Sequence, residues 1–243
     1  MKSLRTDNRP LLESRLLTAA RGGHSWAWGG SAVLPTAVRD PLPEHGVKRM
    51  LDFTVSLVLL IVLMPVMLFI GLAVKLSHAG PILFRWEILG RGARPIRSYK
   101  FRTMVPDAEQ LEETLRAQGQ NEMTSVYFKM RDDPRVTSVG RILRKFSLDE
   151  LPSLWSVVKG DMSLVGPRPV RLTEAKHLKD WHYSRFVVRP GLTSPWIIDG
   201  KGDVKDFDTV AASDIEYIRT WSLWHDLMIL YTTLLYVISG SNY

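Results

Sequence analysis

The sequence predicts an α+β fold: a small mixed domain, a proline-broken re-entrant membrane helix and interfacial amphipathic helices. Three observations predict it. An uncharged run extends from Phe53 to Val74, two strand-like stretches flank a glycine turn, and helix-like stretches fill much of the remaining chain. The expected boundaries are an N-terminal extension over 1–46, the membrane helix over 47–76 and a globular domain with a C-terminal interfacial helix over 77–243.

The composition is that of a folded protein without cysteine. The 243 residues are 45% hydrophobic and 23% charged, which is ordinary for a globular domain. The lack of cysteine excludes a disulfide framework, a thiolate metal site and a cysteine nucleophile. It leaves the redox compartment open.

Residues 1–46 carry scattered Arg, Gly and Pro with little periodicity. The pairs Gly22-Gly23 and Gly29-Gly30 interrupt any helix there. This segment also lacks the compact apolar core and cleavage site of a secretory signal. We therefore expect a largely flexible extension.

The apolar run from Phe53 to Val74 has 22 residues and no charge. As a helix it would measure about 33 Å, enough to cross a bilayer core of roughly 30 Å. A buried core helix is the alternative. An uncharged run of this length in a chain that otherwise looks soluble favours the membrane.

Pro65 lies near the middle of this run, and a kink is expected there because proline removes a backbone donor. Both flanks are basic, with Lys48 and Arg49 before the run and Lys75 after it. A spanning helix would place one basic flank on the outer face, against the positive-inside tendency. The charges therefore favour a helix that dips in, bends at Pro65 and returns, and they leave a spanning helix open.

The net charge of +7 is concentrated in one block. Six basic residues lie between Arg85 and Arg102, against the single acidic residue Glu87. Such a block indicates a local anionic partner, which could be phospholipid, nucleotide phosphate or nucleic acid.

Short elements follow the apolar run. Pro81–Arg85 and Pro95–Phe101 have the pattern of strands and are separated by a turn at Gly90–Gly92. The stretch from Asp107 to Gln118 predicts a polar helix with acidic residues in its first turn.

Three further helices are expected. Ser138–Lys145 predicts a short basic helix, and a second helix follows from about Leu148 to Val158. In Trp221–Ile238 an apolar stripe recurs every three or four residues. This stripe suits a helix on the membrane surface, and a core helix of the soluble domain is the alternative.

The acidic pair Asp149–Glu150 stands at the start of the second of these helices. Ser147 and Glu150 have the spacing of a capping box. Asp149 is not explained by capping, and a carboxylate in a first helical turn lies beside free amide donors that favour phosphate. The preceding Arg141, Arg144 and Lys145 add cations. Two carboxylates among such cations suit Mg²⁺-assisted phosphoryl chemistry, with Asp149 and Glu150 binding the metal together with substrate oxygens.

Two further stretches place cations on defined backbone. Pro167 and Pro169 flank Arg168 and restrict where its guanidinium can point, which suits bidentate contact with phosphate. A structural turn with a solvated arginine is the alternative. Lys100 and Arg102 alternate with aromatic or apolar residues, so they could line a site or form the basic face of a strand.

A set of ordered motifs resembles one family. They are K-R-x-x-D at Lys48–Asp52, the apolar run with its central proline, G-P at Gly80-Pro81, K-F-R-T-M at Lys100–Met104, D-P-R-x-T at Asp133–Thr137, V-G-R-x-L-R at Val139–Arg144, S-L-D-E-L-P at Ser147–Pro152, K-G-D-M-S-L-V-G-P-R-P at Lys159–Pro169 and R-P-G-L-T at Arg189–Thr193. Over roughly residues 47–240 the chain closely resembles the bacterial sugar transferases known as monotopic phosphoglycosyl transferases.

The resemblance implies transfer of a sugar 1-phosphate from a UDP-sugar to a polyprenyl phosphate such as undecaprenyl phosphate. This would be the first membrane step of exopolysaccharide or glycoconjugate assembly, carried out by a catalytic domain on the cytoplasmic face of the bacterial inner membrane. Asp149 takes the position of the nucleophile that forms an aspartyl phosphosugar and releases UMP. Glu150 takes that of the Mg²⁺-associated glutamate and Arg144 that of a phosphate-contacting arginine. Arg168 takes that of the Pro-Arg-Pro element that helps hold the nucleotide.

The chain departs from the family pattern at several positions. Met64 replaces the usual serine before the helix-breaking proline. Where members commonly read F-x-Q-x-R-x-G, this chain has Trp86 and Ile88 in place of Gln and Arg. The usual T-G-x-x-Q-x-x-G-R reads T-S-P-W-I-I-D-G-K over 193–201. These changes spare the acidic pair and bear on the substrate and the efficiency.

Other functions stay open on sequence alone. The departures motivate a catalytically weak or inactive membrane scaffold of a glycan-assembly complex. The block from Arg85 to Arg102 is the one support for a nucleic-acid-binding protein, and we expect that block to serve lipid and substrate phosphates instead. The chain has the length expected of a short form of the family, and a homodimer is possible.

Overall fold

The computed structural model describes residues 46–77, 80–120, 128, 130, 132–197 and 206–240. The expected N-terminal extension therefore lies outside the described residues. Over the described ranges the chain mixes helices with short strands, as the sequence predicts.

One long apolar helix, α1 (Gly46–Ser77), begins the described chain. Its 32 residues are long and apolar enough to cross a membrane. The helix is continuous through Pro65. The long apolar helix is thus confirmed, and the bend expected at Pro65 stays a prediction.

An antiparallel hairpin follows, formed by β1 (Leu83–Leu89) and β2 (Pro95–Phe101). The register pairs Leu83 with Phe101 and Leu89 with Pro95. In the connecting turn Gly92 has φ +69°, a conformation that favours glycine. The bounds predicted for β2 are confirmed. The prediction for β1 was displaced toward the N-terminus, because strand pairing continues without interruption up to the turn.

Two short helices match their predicted bounds closely. α2 (Ala108–Ala117) lies between Asp107 and Gln118 as caps. α3 (Ser138–Lys145) begins after Thr137, whose Oγ1 accepts the backbone N–H of Gly140 at 2.9 Å.

The predicted helix from Leu148 to Val158 is two elements. A 3-10 segment spans Leu148–Ser153, and the α-helix α4 spans Leu154–Lys159. The capping-box prediction is wrong. Ser147 has φ +51° and its side chain makes no capping hydrogen bond. Its backbone N–H instead bonds Arg144 O at 3.1 Å and closes the end of α3, so the chain turns sharply into the 3-10 segment.

The second half of the chain packs against the hairpin and the helices described above. β3 (Ser163–Val165) pairs in parallel with β4 (Gly191–Thr193). Between them runs a 3-10 segment, Asp180–Val187. Two helices complete the described chain, α5 (Phe207–Thr220) and α6 (Leu223–Ser239).

The apolar stripe of α6 faces away from the domain. Trp224, Tyr231 and Ile238 are 71%, 58% and 69% exposed, whereas Ile229 on the opposite side is fully buried. The core-helix interpretation is therefore wrong for this stripe. Its exposure fits a helix at the membrane surface.

A common core joins these elements beneath the hairpin. Residues of β1, α4, β3, α5 and α6 form its largest cluster, which includes Ile88, Val157, Leu164, Tyr217 and Ile229. The hairpin and the 3-10 segment that carries the acidic pair are thus fixed to one packed body.

Candidate active site

Strand β2 lies directly against the 3-10 segment of the acidic pair. Ser98 of β2 is fully buried, and its hydroxyl bonds the hydroxyls of Ser153 at 3.2 Å and Ser156 at 3.0 Å. The Ser153 hydroxyl also donates to Tyr99 O at 2.8 Å. Since these groups are buried, their mutual hydrogen bonds fix the strand on the segment. Lys100, two residues after Ser98 on the same face of the strand, is thereby aimed at the acidic pair.

Lys100 forms an ion pair with Glu150, with 2.6 Å between Nζ and Oε1. Asp149 is half-buried beside this pair. Burial raises the pKa of the Asp149 carboxyl, the charge of Lys100 lowers it, the neighbouring Glu150 raises it and Arg144 lowers it, and the pKa stays above its ordinary value. The site thus holds a carboxylate that ionises against burial and a neighbouring negative charge, and Lys100 and Arg144 are the cations that support it.

Arg144 comes from α3 and is held by Thr103. Its Nε donates to Thr103 Oγ1 at 2.9 Å. α3 can approach the Thr103 backbone because residue 140 is glycine. A Cβ atom there would overlap the carbonyl oxygen of Thr103. Gly140 therefore has a structural role in the V-G-R motif, because it lets Arg144, four residues later, reach the site.

The Pro-Arg-Pro loop is fixed from below by a buried ion pair. Arg185 and Asp214 contact each other and are fully buried. The Asp214 carboxylate accepts the backbone N–H of Arg168 at 3.3 Å, and Arg185 Nη2 donates to Arg168 O at 2.7 Å. The Arg168 guanidinium lies 4.5 Å from the ring centre of Trp196. Backbone and side chain of Arg168 are both held, in line with the predicted rigid arginine.

Comparison with known proteins decides the family. The sequence profile of the family described as "Bacterial sugar transferase" matches residues 43–240. The chain belongs to this family. The resemblance seen in the motifs is thereby confirmed.

Three similar proteins show what its members are named for. The galactosyl transferase CpsE of Streptococcus agalactiae is 40% identical over 195 residues, 80% of this chain and 43% of the relative. An undecaprenyl-phosphate galactose phosphotransferase of Salmonella typhimurium is 39% identical, over 76% of this chain and 39% of the relative. A UDP-glucose:undecaprenyl-phosphate glucose-1-phosphate transferase of Caulobacter vibrioides is 38% identical, over 83% and 74%. The chain thus spans about two fifths of the length of the first two relatives.

The structure brings part of the predicted site of this family member together. Lys100, Arg144, Asp149 and Glu150 act on one another. Arg141 is exposed on α3. Arg102 points to the hairpin edge, where its Nε donates to Pro81 O at 3.1 Å.

The prolines around Arg168 have unequal environments. Pro167 is buried, and its carbonyl oxygen accepts the backbone N–H of Gly191 at 2.9 Å. Pro169 is half-buried. The loop is therefore anchored to β4 on the Pro167 side.

Sequence reasoning gave no role to several residues that build the site. Trp86 contacts Lys100, Thr103 holds Arg144, and Arg185 with Asp214 supports the Pro-Arg-Pro loop. Thr103 lies in the K-F-R-T-M motif at Lys100–Met104, so the sequence did indicate that it could belong to the site. The partnership of Arg185 and Asp214 joins residues 29 positions apart, and no local pattern indicates it.

The donor set near the acidic pair suits a metal that also binds substrate. Within the described ranges no group of three or more His, Asp or Glu side chains is placed to hold a metal ion. The acidic pair supplies two adjacent carboxylates, and Mg²⁺ commonly binds one or two carboxylates plus substrate phosphate oxygens. Asp149 and Glu150 therefore fit the predicted Mg²⁺ if the remaining ligands come from a diphosphate and water.

Proposed function

We propose that this chain transfers a sugar 1-phosphate from a UDP-sugar to undecaprenyl phosphate through a covalent aspartyl phosphosugar. Family membership supports the reaction class, as do relatives named as undecaprenyl-phosphate galactose or glucose phosphotransferases. The product would begin exopolysaccharide or another glycoconjugate. The observation that carries the proposal is the half-buried Asp149 with its cations, because a carboxylate nucleophile needs such a setting.

The reaction consists of two displacements at one phosphorus. An Asp149 carboxylate oxygen attacks the β-phosphorus of the UDP-sugar, the bond from that phosphorus to the bridging oxygen breaks, and UMP leaves. A phosphate oxygen of the lipid then attacks the same phosphorus and the aspartyl carboxylate is released. The product is a polyprenyl diphosphosugar, and the charge balance is kept throughout.

The cations have distinct tasks in this proposal. Lys100 and Arg144 keep Asp149 ionised and stabilise charge that develops on the transferred phosphoryl group. Arg168, on its fixed loop, binds the nucleotide phosphates. Glu150 and Asp149 would hold Mg²⁺ with the diphosphate, and the metal would supply charge neutralisation there.

The first experiment looks for the intermediate. The protein in detergent or nanodiscs is incubated with a panel of UDP-sugars in the absence of lipid acceptor. We expect one donor to release up to one equivalent of UMP and to leave a sugar phosphate on Asp149, detected by peptide mass spectrometry. Adding undecaprenyl phosphate should then give continuous UMP release.

Matched variants give the control. Asp149→Asn should form no adduct and no UMP, whereas Asp161→Asn, at a surface ion pair with Lys159, should behave as the wild type. UMP release that needs the acceptor and leaves no adduct would contradict the covalent route. No UMP from any donor would favour the inactive scaffold instead.

We also propose that α1 enters the membrane from one side and returns to it. One face of the helix lies against the domain along its length. Buried or half-buried side chains recur every three or four residues, at Asp52, Ser56, Leu60, Leu63, Met67, Ile70 and Val74. A helix that projected away from the domain through a bilayer would contact it at one end.

The N-terminal end of α1 is bound by polar contacts. Arg49 donates to Val157 O and Val158 O at 2.7 Å each, at the end of α4. The Asp52 carboxylate accepts from Ser163 Oγ at 2.7 Å and from Leu164 N at 3.1 Å. This end is therefore fixed to the elements that follow the acidic pair.

The C-terminal end is bound by apolar contacts to the same domain. Ile70 and Val74 pack in one cluster with Phe101 of β2 and Leu143 of α3. Since a bilayer core of about 30 Å would separate the ends of a spanning helix, contacts of both ends with one body support the re-entrant form. Together with the exposed stripe of α6, they support a domain on one face of the membrane. The basic flanks of α1, which include Lys48, Arg49 and Lys75, favour the cytoplasmic face.

The lack of cysteine makes this topology testable. Met50 and Leu76 are exposed near the two ends of α1 and can be changed to cysteine one at a time. An impermeant maleimide should label neither variant in intact cells and both after lysis. Labelling of one end in intact cells would show a spanning helix.

A further inference from the structure

Two cations of the candidate site lie on the faces of tryptophan rings. Lys100 Nζ is 4.2 Å from the ring centre of Trp86, and the Arg168 guanidinium carbon is 4.5 Å from that of Trp196. These distances are within the range in which a cation is attracted by an aromatic face. The same contact thus occurs at the acidic pair and at the Pro-Arg-Pro loop.

Both rings are held in an unusual way. The indole Nε1 atoms of Trp86 and Trp196 are buried and have no hydrogen-bond partner among the described residues. A buried N–H without a partner destabilises the fold. Packing holds the rings instead, since Trp86 lies against the core cluster of Ile88 and Ile197, and Trp196 is itself buried.

Both tryptophans stand in stretches where the chain departs from its family pattern. Trp86 occupies the position of a common glutamine, and Trp196 lies in the altered segment after Thr193. Two other departures, Ile88 and Ile197, belong to the same core cluster. A glutamine has no aromatic face, and an apolar setting strengthens a cation–ring contact by excluding water.

We propose that Trp86 and Trp196 are positioning residues, which hold Lys100 and Arg168 in the orientation that the substrate phosphates require. The inference rests on the proposed function for its kinetic consequence, while the contacts themselves are independent of it. Trp86 acts at the acidic pair and so affects the transfer step. Trp196 acts at the nucleotide and so affects donor binding.

The first test measures the cations directly and needs no activity. The full-length protein is treated with acetic anhydride or phenylglyoxal, and modification of Lys100 and Arg168 is followed by peptide mass spectrometry. In Trp86→Leu, Lys100 loses the ring that shields and holds its ammonium group, so its acylation should accelerate about 3- to 30-fold. In Trp86→Phe it should stay within about 3-fold of the wild type. Lys159, an exposed lysine, is the internal reference.

The same comparison applies to the second ring. Trp196→Leu should accelerate the modification of Arg168 relative to Arg219, and Trp196→Phe should not. Unchanged rates in both Leu variants, or equal acceleration in the Leu and Phe variants, would overturn the inference.

A fluorinated tryptophan series at position 86 covers the case in which a Leu variant does not fold. Fluorine weakens the attraction of the ring face for a cation with little change of shape. Acylation of Lys100 should rise with the number of fluorine atoms while the midpoint of thermal unfolding stays constant. A flat series would overturn the proposal for Trp86.

Kinetics then separate the two rings. Trp86→Leu should lower kcat for UMP release about 3- to 30-fold, because Lys100 would no longer be held in its place beside the acidic pair. Trp196→Leu should raise the KM for the donor with little change in kcat. If the wild type releases no UMP, the proposed function fails, and the modification rates still decide whether the rings position these cations.

Discussion

In two regions of this molecule carboxylates lie beside arginines or lysines, but their pKa values are shifted in opposite directions. In the acidic pair, Asp149 has cations nearby and its pKa is raised, first by burial. In a second group, which we call the arginine cluster, Glu112 and Asp133 are bound by Arg116, Arg135 and Arg171. Burial alone would raise the pKa of Glu112, but hydrogen bonds and charge from the three arginines lower it to about 2.

The difference shows what each region is built for. Arg135 is almost fully buried and donates from Nε and Nη2 to Asp133 and from Nη1 to Glu112. These bonds join α2 to the segment before α3 and stabilise the fold. Asp149 ionises at a cost, which is the expected state of a group whose charge is used on a substrate.

The largest expected effects are opposite in the two regions: a substitution in the acidic pair should remove activity and keep stability, and one in the arginine cluster should lower stability and keep activity. Asp149→Asn should lower UMP release by at least about 10³-fold, since it removes the proposed nucleophile. Its unfolding free energy should not fall, because the change removes a charge that is unfavourable in the folded state. Arg135→Met leaves the buried Asp133 without its main partner and removes one of the three arginines that bind Glu112. It should cost about 3–5 kcal/mol of stability.

Chemical denaturation in detergent measures the unfolding free energy of each variant, and the UMP assay measures its kcat. The kcat per folded molecule of Arg135→Met should stay near that of the wild type. A less stable Asp149→Asn, or an Arg135→Met variant as stable as the wild type, would contradict the contrast between the regions.

The same contrast separates what sequence could predict from what it could not. β2 and α3 were predicted to the residue from local patterns, because Pro95 begins β2 and basic residues recur along α3 up to its last turn. The acidic pair was found from its position after a basic helix. The arginine cluster was missed, since Glu112 and Arg171 meet across 59 residues and their motifs give no sign of the pairing.

Local rules failed where tertiary contacts decided the outcome. Ser147 and Glu150 have capping-box spacing, but the Glu150 carboxylate is bound by Lys100 from a strand 50 residues earlier. That ion pair brings a cation to the acidic pair, which a capping interaction would not do. The sequence rule recognised the start of the segment and misassigned its side chains.

A smaller effect concerns stability at acid pH. Glu112 has a folded-state pKa of about 2 against an ordinary value of 4.5, so it stabilises the fold above pH 4.5 and this contribution is lost as the pH falls toward 2. We expect about 2 kcal/mol after allowing for solvent screening. Asp149 acts in the opposite direction, because its raised pKa favours the folded state at low pH and disfavours it as the pH rises.

Denaturation curves at several pH values test these opposite pH dependences of stability. The Glu112→Gln variant should lose stability at neutral pH and should show a flatter dependence below pH 4.5. Asp149→Asn should remove the opposing trend at higher pH. The same pH dependence in the wild type and in Glu112→Gln would show that the arginine cluster does not control acid stability.

The smallest effect is expected at an exposed ion pair in the basic block. Arg97 Nε lies 3.3 Å from Glu87 Oε1, and both side chains are largely exposed. Since solvent screens such pairs, Arg97→Ala should change stability by less than about 0.5 kcal/mol and leave kcat for UMP release unchanged. Lys100→Ala, three residues away, should lower kcat strongly because its ammonium contacts Glu150. Equal losses in the two variants would mean that the whole basic block acts through its net charge, and that the ion pair of Lys100 with Glu150 is not what distinguishes the acidic pair from its surroundings.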